Sequence, residues 1–409
     1  MAVPKLESLK KMKELVAGHF TGLDAAAKDP ARKVAWCTSV GPVELLRTFG
    51  FEVYFPENHG AVLGASRKAN DYIPRANAAG YSPDICSYLT ADVGAFLAGE
   101  TPLTHGYGLQ SVPTPDILVY NTNQCRDVED WFAFYARHFD IPLVGINSPV
   151  QVGDVTDELV KTLVPQYEEL IPVFERVSGI KFDIDRLREV MTDSAETSRL
   201  WGEVLGTMAH RPSPMTFFDT SVHMAPAVIL RGLPEASDYY RMLLKELSTL
   251  TEANVSAVKN ERFRIYWDGM PVWGKLRELS TFFNDVDASL VVSTYCNSWV
   301  FEAFDPSDPF NSMARAFLEL FIARSDKAKE VIMAELCEKF SVDGVIYHDA
   351  KTCPNNSNTR YGLPQRLRER TGLPFTIVYG DLNDLRCFSE EQAKTSIEAF
   401  LEQIEGGRG

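Results

Sequence analysis

Short apolar runs recur with helix-like segments between them, and this alternation constrains the fold more than any other feature of the chain. Lys33–Ser39 (KVAWCTS), Phe51–Glu57 (FEVYFPE), Ile117–Asn121 (ILVYN) and Pro142–Asn147 (PLVGIN) are rich in Val, Ile and Tyr. Bounded by Pro, Gly and Asn, they predict strands. Pro42–Phe49 and Asp127–His138 carry apolar residues at helical spacing between them. From Arg262 the alternation returns, with strands expected at Arg262–Trp267, Ala288–Thr294, Gly344–His348 and Phe375–Tyr379. Helices are expected there at Ser312–Arg324, Lys327–Phe340 and Tyr361–Thr371. Strand–helix–strand alternation implies an α/β fold whose parallel sheets are covered on both faces.

Between the two alternating regions, about Asp154 to Lys259, long helical periods replace the strand pattern. Asp183 and Asp185 offer helix caps, and Gly179 suits the end of the preceding helix. At 409 residues the chain exceeds one ordinary core. We expect an N-terminal α/β domain over 1–155, a helical connector over 156–260 and a C-terminal α/β domain over 261–409. The first residues, MAVPKLESLKKMKELVAG, alternate charged and apolar side chains, which predicts an amphipathic helix and not a secretory signal.

A hydrophobic content of 45% and a charged content of 24% are those of a soluble globular protein. No apolar run approaches the roughly 18 residues of a membrane span. The net charge of −15 argues against a nucleic-acid partner, because phosphate binding needs a basic surface. It leaves room for an anionic small ligand held by a few cations in one cleft. Seven scattered cysteines, an odd number, make a disulfide framework improbable and point to a reducing cytoplasm.

The halves echo each other around two of those cysteines. ILVYNTNQC runs from a strand into a polar loop ending at Cys125, and GVIYHDAKTC does the same at Cys353. A helix and a further strand follow in each case. Both thiols thus fall beyond the carboxyl ends of parallel strands, where open α/β sheets bind ligands. Cys86 lies in GYSPDICSY, a loop between helical segments. The tight C-x₂-C spacing usual in ferredoxins is absent, so spacing alone signals metal only weakly. Taken singly, each cysteine reads as a small buried hydrophobe.

The run WCTSVGPVELLRTFGFEVYFPENHGA, followed in order by GYSPDICSY, NTNQC, VFERVSGIKFDIDRLREVM, HRPSP, DGVIYHDAKTC, RTGLPFTIVYGDLND and CFS, spans almost the whole chain. This set resembles the 2-hydroxyacyl-CoA dehydratase and class I benzoyl-CoA reductase family. The resemblance implies two Rossmann-like domains and a 4Fe-4S cluster held by Cys86, Cys125 and Cys353, with an open iron site. It implies a CoA-thioester substrate, a ketyl radical anion and a homologous second subunit in a heterodimer. It also implies a separate ATP-hydrolysing iron–sulfur activator protein, since no G-x-x-x-x-G-K-[ST] loop occurs here. Ser39 and Glu57 match polar positions near the substrate. In our reading both fall at strand ends, where a buried Glu can relay a proton and a Ser can donate a hydrogen bond.

Several alternatives stay open. Ser39 beside Glu57 leans toward the dehydratase, whereas SGIKFDIDRLREVM and DPSDP lean toward the reductase. The chain can be the catalytic or the electron-relay subunit, or a two-domain binding protein with incidental cysteines. Glu57 and Ser39 also read as a turn carboxylate and a helix cap. His59 is a second candidate proton relay but reads as structural by default; Trp36, Trp267 and Trp273 are candidates to pave a flat pocket for an acyl or aromatic group but read as core by default. Asp381 suits either a helix cap or a group orienting the second domain. Cys37, Cys296, Cys337 and Cys387 read as non-ligands.

Overall fold

The computed structural model of the protein describes residues 6–407. Four parallel strands form the first sheet: β1 (Val34–Cys37), β2 (Glu52–Tyr54), β3 (Ile117–Asn121) and β4 (Leu143–Ile146). Their order is β2-β1-β3-β4. The second sheet contains β5 (Phe263–Asp268), β6 (Ala288–Ser293), β7 (Gly344–Ala350) and β8 (Phe375–Gly380). Its order, β6-β5-β7-β8, repeats that of the first, and every pairing is parallel. The chain is thus α/β with two Rossmann-like sheets, as the alternation implies.

Strands β1, β3, β5 and β6 are buried at every position, because helices cover both faces. Edge strands β4 and β8 are more open, and Tyr379 on β8 is exposed. In each sheet the direction of winding reverses beside the first strand, between β1 and β3 and between β5 and β7. The loops carrying Cys125 and Cys353 follow β3 and β7, at those two switch points.

The middle of the chain is helical. Asp157–Ser178 starts at Thr156, whose hydroxyl accepts from Leu159 N, and stops at Gly179 with φ 74°. Ile184–Gly206 is capped by Asp183, which accepts from Asp185 N and Arg186 N. Asp185 itself sits in the first turn. On Asp157–Ser178 the buried stripe Val160, Leu163, Tyr167, Leu170 and Phe174 recurs every three or four residues. It reaches both halves: Phe174 packs 5.6 Å from Phe49, and Tyr167 packs 6.5 Å from Phe317.

The helix expected at the N-terminus is Ser8–Ala27; the first five residues of that expectation lie outside the described residues. Several strands are shorter than expected. Lys33–Ser39 narrows to β1, which leaves Ser39 two residues beyond the strand end, and Pro142–Asn147 narrows to β4. Phe51–Glu57 narrows to β2, because Pro56 begins the helix Pro56–Ala65. Proline at the first helical position costs no hydrogen bond and presets φ. Glu57 therefore lies in a first helical turn and not at a strand end.

That helix meets the second half at close range. A Cβ on Gly64 would lie 2.0 Å from Asn383 Oδ1 and 2.9 Å from Trp273 Cβ. Asn383 Nδ2 also donates to Gly60 O at 2.8 Å. Glycine at position 64 is what lets the two halves approach here.

Candidate active site

The three thiols named from the sequence converge. Cys86, Cys125 and Cys353 all line one cavity of about 660 Å³, together with Ser39, Glu57 and Gln124. All three are free, and each is only partly buried because it faces that cavity. Burial raises every one of their pKa values, and the field of a neighbouring thiol adds to it. Cys86 feels Cys125, Cys125 feels Asp127 and then Cys353, and Cys353 feels Cys86. The three influences close a triangle.

Backbone and side-chain hydrogen bonds fix the three loops to one another. Cys86 immediately precedes the helix Ser87–Ala98, and its N–H donates to Asp127 Oδ2 at 3.0 Å. That bond ties the Cys86 loop to the Cys125 loop. Ser87 N donates to Thr352 Oγ1 at 3.0 Å, tying the Cys86 loop to that of Cys353. Asn355 Nδ2 donates to Gln124 O at 2.9 Å and completes the circuit. Beneath them sits Asp381, fully buried, which accepts from Ser87 Oγ and from Thr352 N and Oγ1 at 2.9 and 2.6 Å. It caps no helix; it joins the two halves under the thiols.

Ser39, in the loop after β1, donates through N and Oγ to the Glu57 carboxylate at 3.0–3.1 Å. Gln124 Nε2 donates to Glu57 Oε1 at 2.5 Å. Despite these bonds, which favour the charged form, burial dominates and pushes the Glu57 carboxyl up to about 7. The Ser39 loop is held from behind by Arg231, which donates to Ser39 O at 2.9 Å and Gly41 O at 3.1 Å. Arg231 Nε donates to Glu44 Oε1 at 2.7 Å, in a pair with almost no solvent contact.

Other residues singled out in the sequence lie elsewhere. His59 is buried between Asp92 Oδ1 (2.5 Å) and Thr101 Oγ1 (2.8 Å), bracing helix against helix, and does not line the cavity. Trp36 and Trp267 are core, whereas Trp273 lines the cavity and donates to Tyr88 OH. Cys37, Cys296, Cys337 and Cys387 do not line it. Gln124, Asp127, Thr352 and Arg231 carry no signal in the sequence of their own, although the first three lie within two residues of a cysteine. A larger cavity, about 1150 Å³, opens between Ile184–Gly206 and Asp326–Lys339, but no cysteine lines it.

Residues 38–404 match the family described as 2-hydroxyglutaryl-CoA dehydratase, D-component. The chain belongs to that family. It is 32% identical to the (R)-2-hydroxyisocaproyl-CoA dehydratase alpha subunit of Clostridioides difficile, over 98% of this chain and 97% of the relative. It is 28% identical to the (R)-phenyllactyl-CoA dehydratase alpha subunit of Clostridium sporogenes, over 96% and 97%. It is also 28% identical to one of the subunits of the benzoyl-CoA reductase of Thauera aromatica, over 99% and 96%. These relatives are parts of enzymes, and this chain is an enzyme chain of the same family. Among the described residues no helix is long and apolar enough to cross a membrane.

Proposed function

We propose that the chain is the iron–sulfur subunit of a 2-hydroxyacyl-CoA dehydratase, with Cys86, Cys125 and Cys353 holding a 4Fe-4S cluster that keeps one iron free of protein ligands. The observation that carries this reading is three unpaired thiols, on mutually tied loops, facing one cavity with Ser39 and Glu57.

The donor set fits such a cluster. Three soft ligands share the cavity, and no fourth cysteine lines it. The three thiols do not form a set that holds a single metal ion, nor does any other group of His, Cys, Asp or Glu among the described residues. A polynuclear cluster, ligated at separate corners, suits thiols set around a cavity. With pKa values raised well above the ordinary thiol range, the thiols keep their protons, and binding iron releases them. When bound, the cluster supplies one electron and an open iron acting as Lewis acid toward a thioester oxygen.

The chain's own groups handle the proton. Expelling hydroxide from carbon 2 requires a proton on its oxygen, and Glu57, whose carboxyl burial raises to about 7, holds one in about half of the molecules at neutral pH. Ser39 N, Ser39 Oγ and Gln124 Nε2 fix the carboxyl in place. This pair favours the dehydratase over the ring-reducing reaction. Having no phosphate loop, the chain leaves ATP hydrolysis to a separate iron–sulfur activator protein. Relatives named as alpha subunits support a homologous second subunit here. Seven free thiols suit a reducing cytoplasm.

Anaerobic purification tests the reading. A brown protein with about four irons per chain is expected. Cys86→Ser, Cys125→Ser or Cys353→Ser bleaches it; Cys337→Ser or Cys387→Ser does not. A colourless, iron-free protein under strict anoxia rules the proposal out. Reconstituted with its partner subunit and activator, the enzyme converts a 2-hydroxyacyl-CoA to an enoyl-CoA. Reduction of benzoyl-CoA instead establishes the reductase.

A further inference from the structure

Resting on that reading, we infer that the acyl group entering this cavity is uncharged and apolar, and that a second carboxylate on it is excluded. The lining divides between two hydrophobic cores. Cys86, Cys125 and Cys353 pack against the smaller one, beside Trp131 and Met270. Met224, Val228, Ile229, Trp299, Leu320 and Ile322 line the same cavity and belong to or pack on the larger one. Tyr295 packs against both. The cavity thus has a thiol end, where Ser39, Glu57, Gln124, Thr352 and Asn355 supply polar groups, and an aliphatic wall.

Charge is confined to the thiol end. Glu57, Arg126 and Asp127 are the charged side chains of the lining, which contains no lysine or histidine. Asp127 is turned to Cys86 N, and Arg126, directly after Cys125, is exposed to solvent. The serine and threonine hydroxyls in the lining are engaged as donors within the protein. Ser221 donates to Phe217 O at 2.8 Å and Ser298 to Thr294 O at 2.8 Å. Thr122 donates to Ser148 O at 3.1 Å and Ser148 to Asn121 Oδ1 at 2.7 Å. A carboxylate laid on the aliphatic wall would leave water and meet no cation among the residues of that wall. A branched aliphatic or aromatic group loses nothing of the kind and buries its surface. The discrimination is steep because an ionised carboxylate taken out of water without a countercharge costs far more than a misfitted methylene.

Equilibrium binding to the full chain, purified under anoxia, tests this with three probes: 2-hydroxy-4-methylpentanoyl-CoA, 2-hydroxyglutaryl-CoA and the distal methyl ester of the latter. The first binds about a hundredfold more tightly than the second, and masking the distal carboxylate restores affinity to within about tenfold. If 2-hydroxyglutaryl-CoA binds as tightly as the methylpentanoyl ester, the inference fails while the thioester reading stands. If none of the three binds, the proposed function itself is overturned, and this inference with it.

Discussion

Ser87 and Asp381 share a hydrogen bond across 294 positions of chain, directly beneath the thiols of Cys86 and Cys353. Asp381 also accepts from Thr352 N, Thr352 Oγ1, Asn383 N and Asp384 N. One buried carboxylate therefore holds two cysteine loops from opposite halves in register.

Asp381→Ala strands several buried donors at once. Each unsatisfied group costs about 1–3 kcal/mol, so the variant loses about 3 kcal/mol or more. Urea unfolding measures the loss, and iron per chain after anaerobic reconstitution falls with it. Full iron at unchanged stability would show that the loops hold their places without it.

Glu57 makes stability depend on pH in the direction opposite to a salt-bridged carboxylate. Its folded pKa, about 7, lies above the ordinary 4.5, so the folded chain retains a proton that the unfolded chain releases. The contribution is complete below about 4.5 and is lost as pH rises through about 7. Glu57→Gln removes this slope. Its unfolding free energy, relative to the parent, rises between about pH 5 and about pH 8, by roughly 3 kcal/mol at most. A difference that stays flat across that window would mean the carboxyl titrates normally.

Arg231→Met leaves Glu44 buried without its cation and removes donors from Ser39 O and Gly41 O. Breaking one side of a buried ion pair costs about 3–5 kcal/mol. Arg231→Lys, which keeps the charge and loses the planar fork, is expected to fall between parent and Met variant. Equal losses in the two variants would assign the effect to geometry alone.

Gly64→Ala forces a methyl into Asn383 and Trp273 at the seam between the halves. Overpacking of this kind costs about 1–3 kcal/mol. The clash is tightest at Asn383 and reaches Trp273, so the fluorescence of Trp273 in the folded state is expected to change along with the unfolding midpoint. Wild-type stability and emission in this variant would mean that Asn383 yields freely.

Much of this fold is legible in the sequence because strand and helix periods are local properties. All eight strands appear where short Val- and Ile-rich runs predict them, and Gly179 and Asp183 end and begin helices as their chemistry suggests. Glu57 departs from its expected strand end because the apolar FEVYF run masks the proline after it, although Pro56 is a helix-start signal. The identity of strand order in the two sheets is hinted at only by the matching phrases around Cys125 and Cys353. The partners of the thiol loops are invisible for a different reason. Nothing near Gln124 announces Asn355, and nothing near Thr352 announces Ser87, because those pairs are 231 and 265 positions apart. Arg231, in a short RGLP turn, carries no local sign of its hold on Ser39.

The wide spacing of those pairs also orders the birth of the site. Cys86 and Cys125 are joined across only 41 positions, through Asp127, within the first half of the chain. Cys353 reaches them through contacts that close loops of more than 200 residues. Long loops close late, after local pairing has supplied its contacts. A nascent chain leaving the ribosome therefore presents two thiols long before the third exists. Under the proposed function, a cluster held by all three thiols would form only once the two ends of the chain have docked, so cofactor delivery would belong after synthesis and not during it.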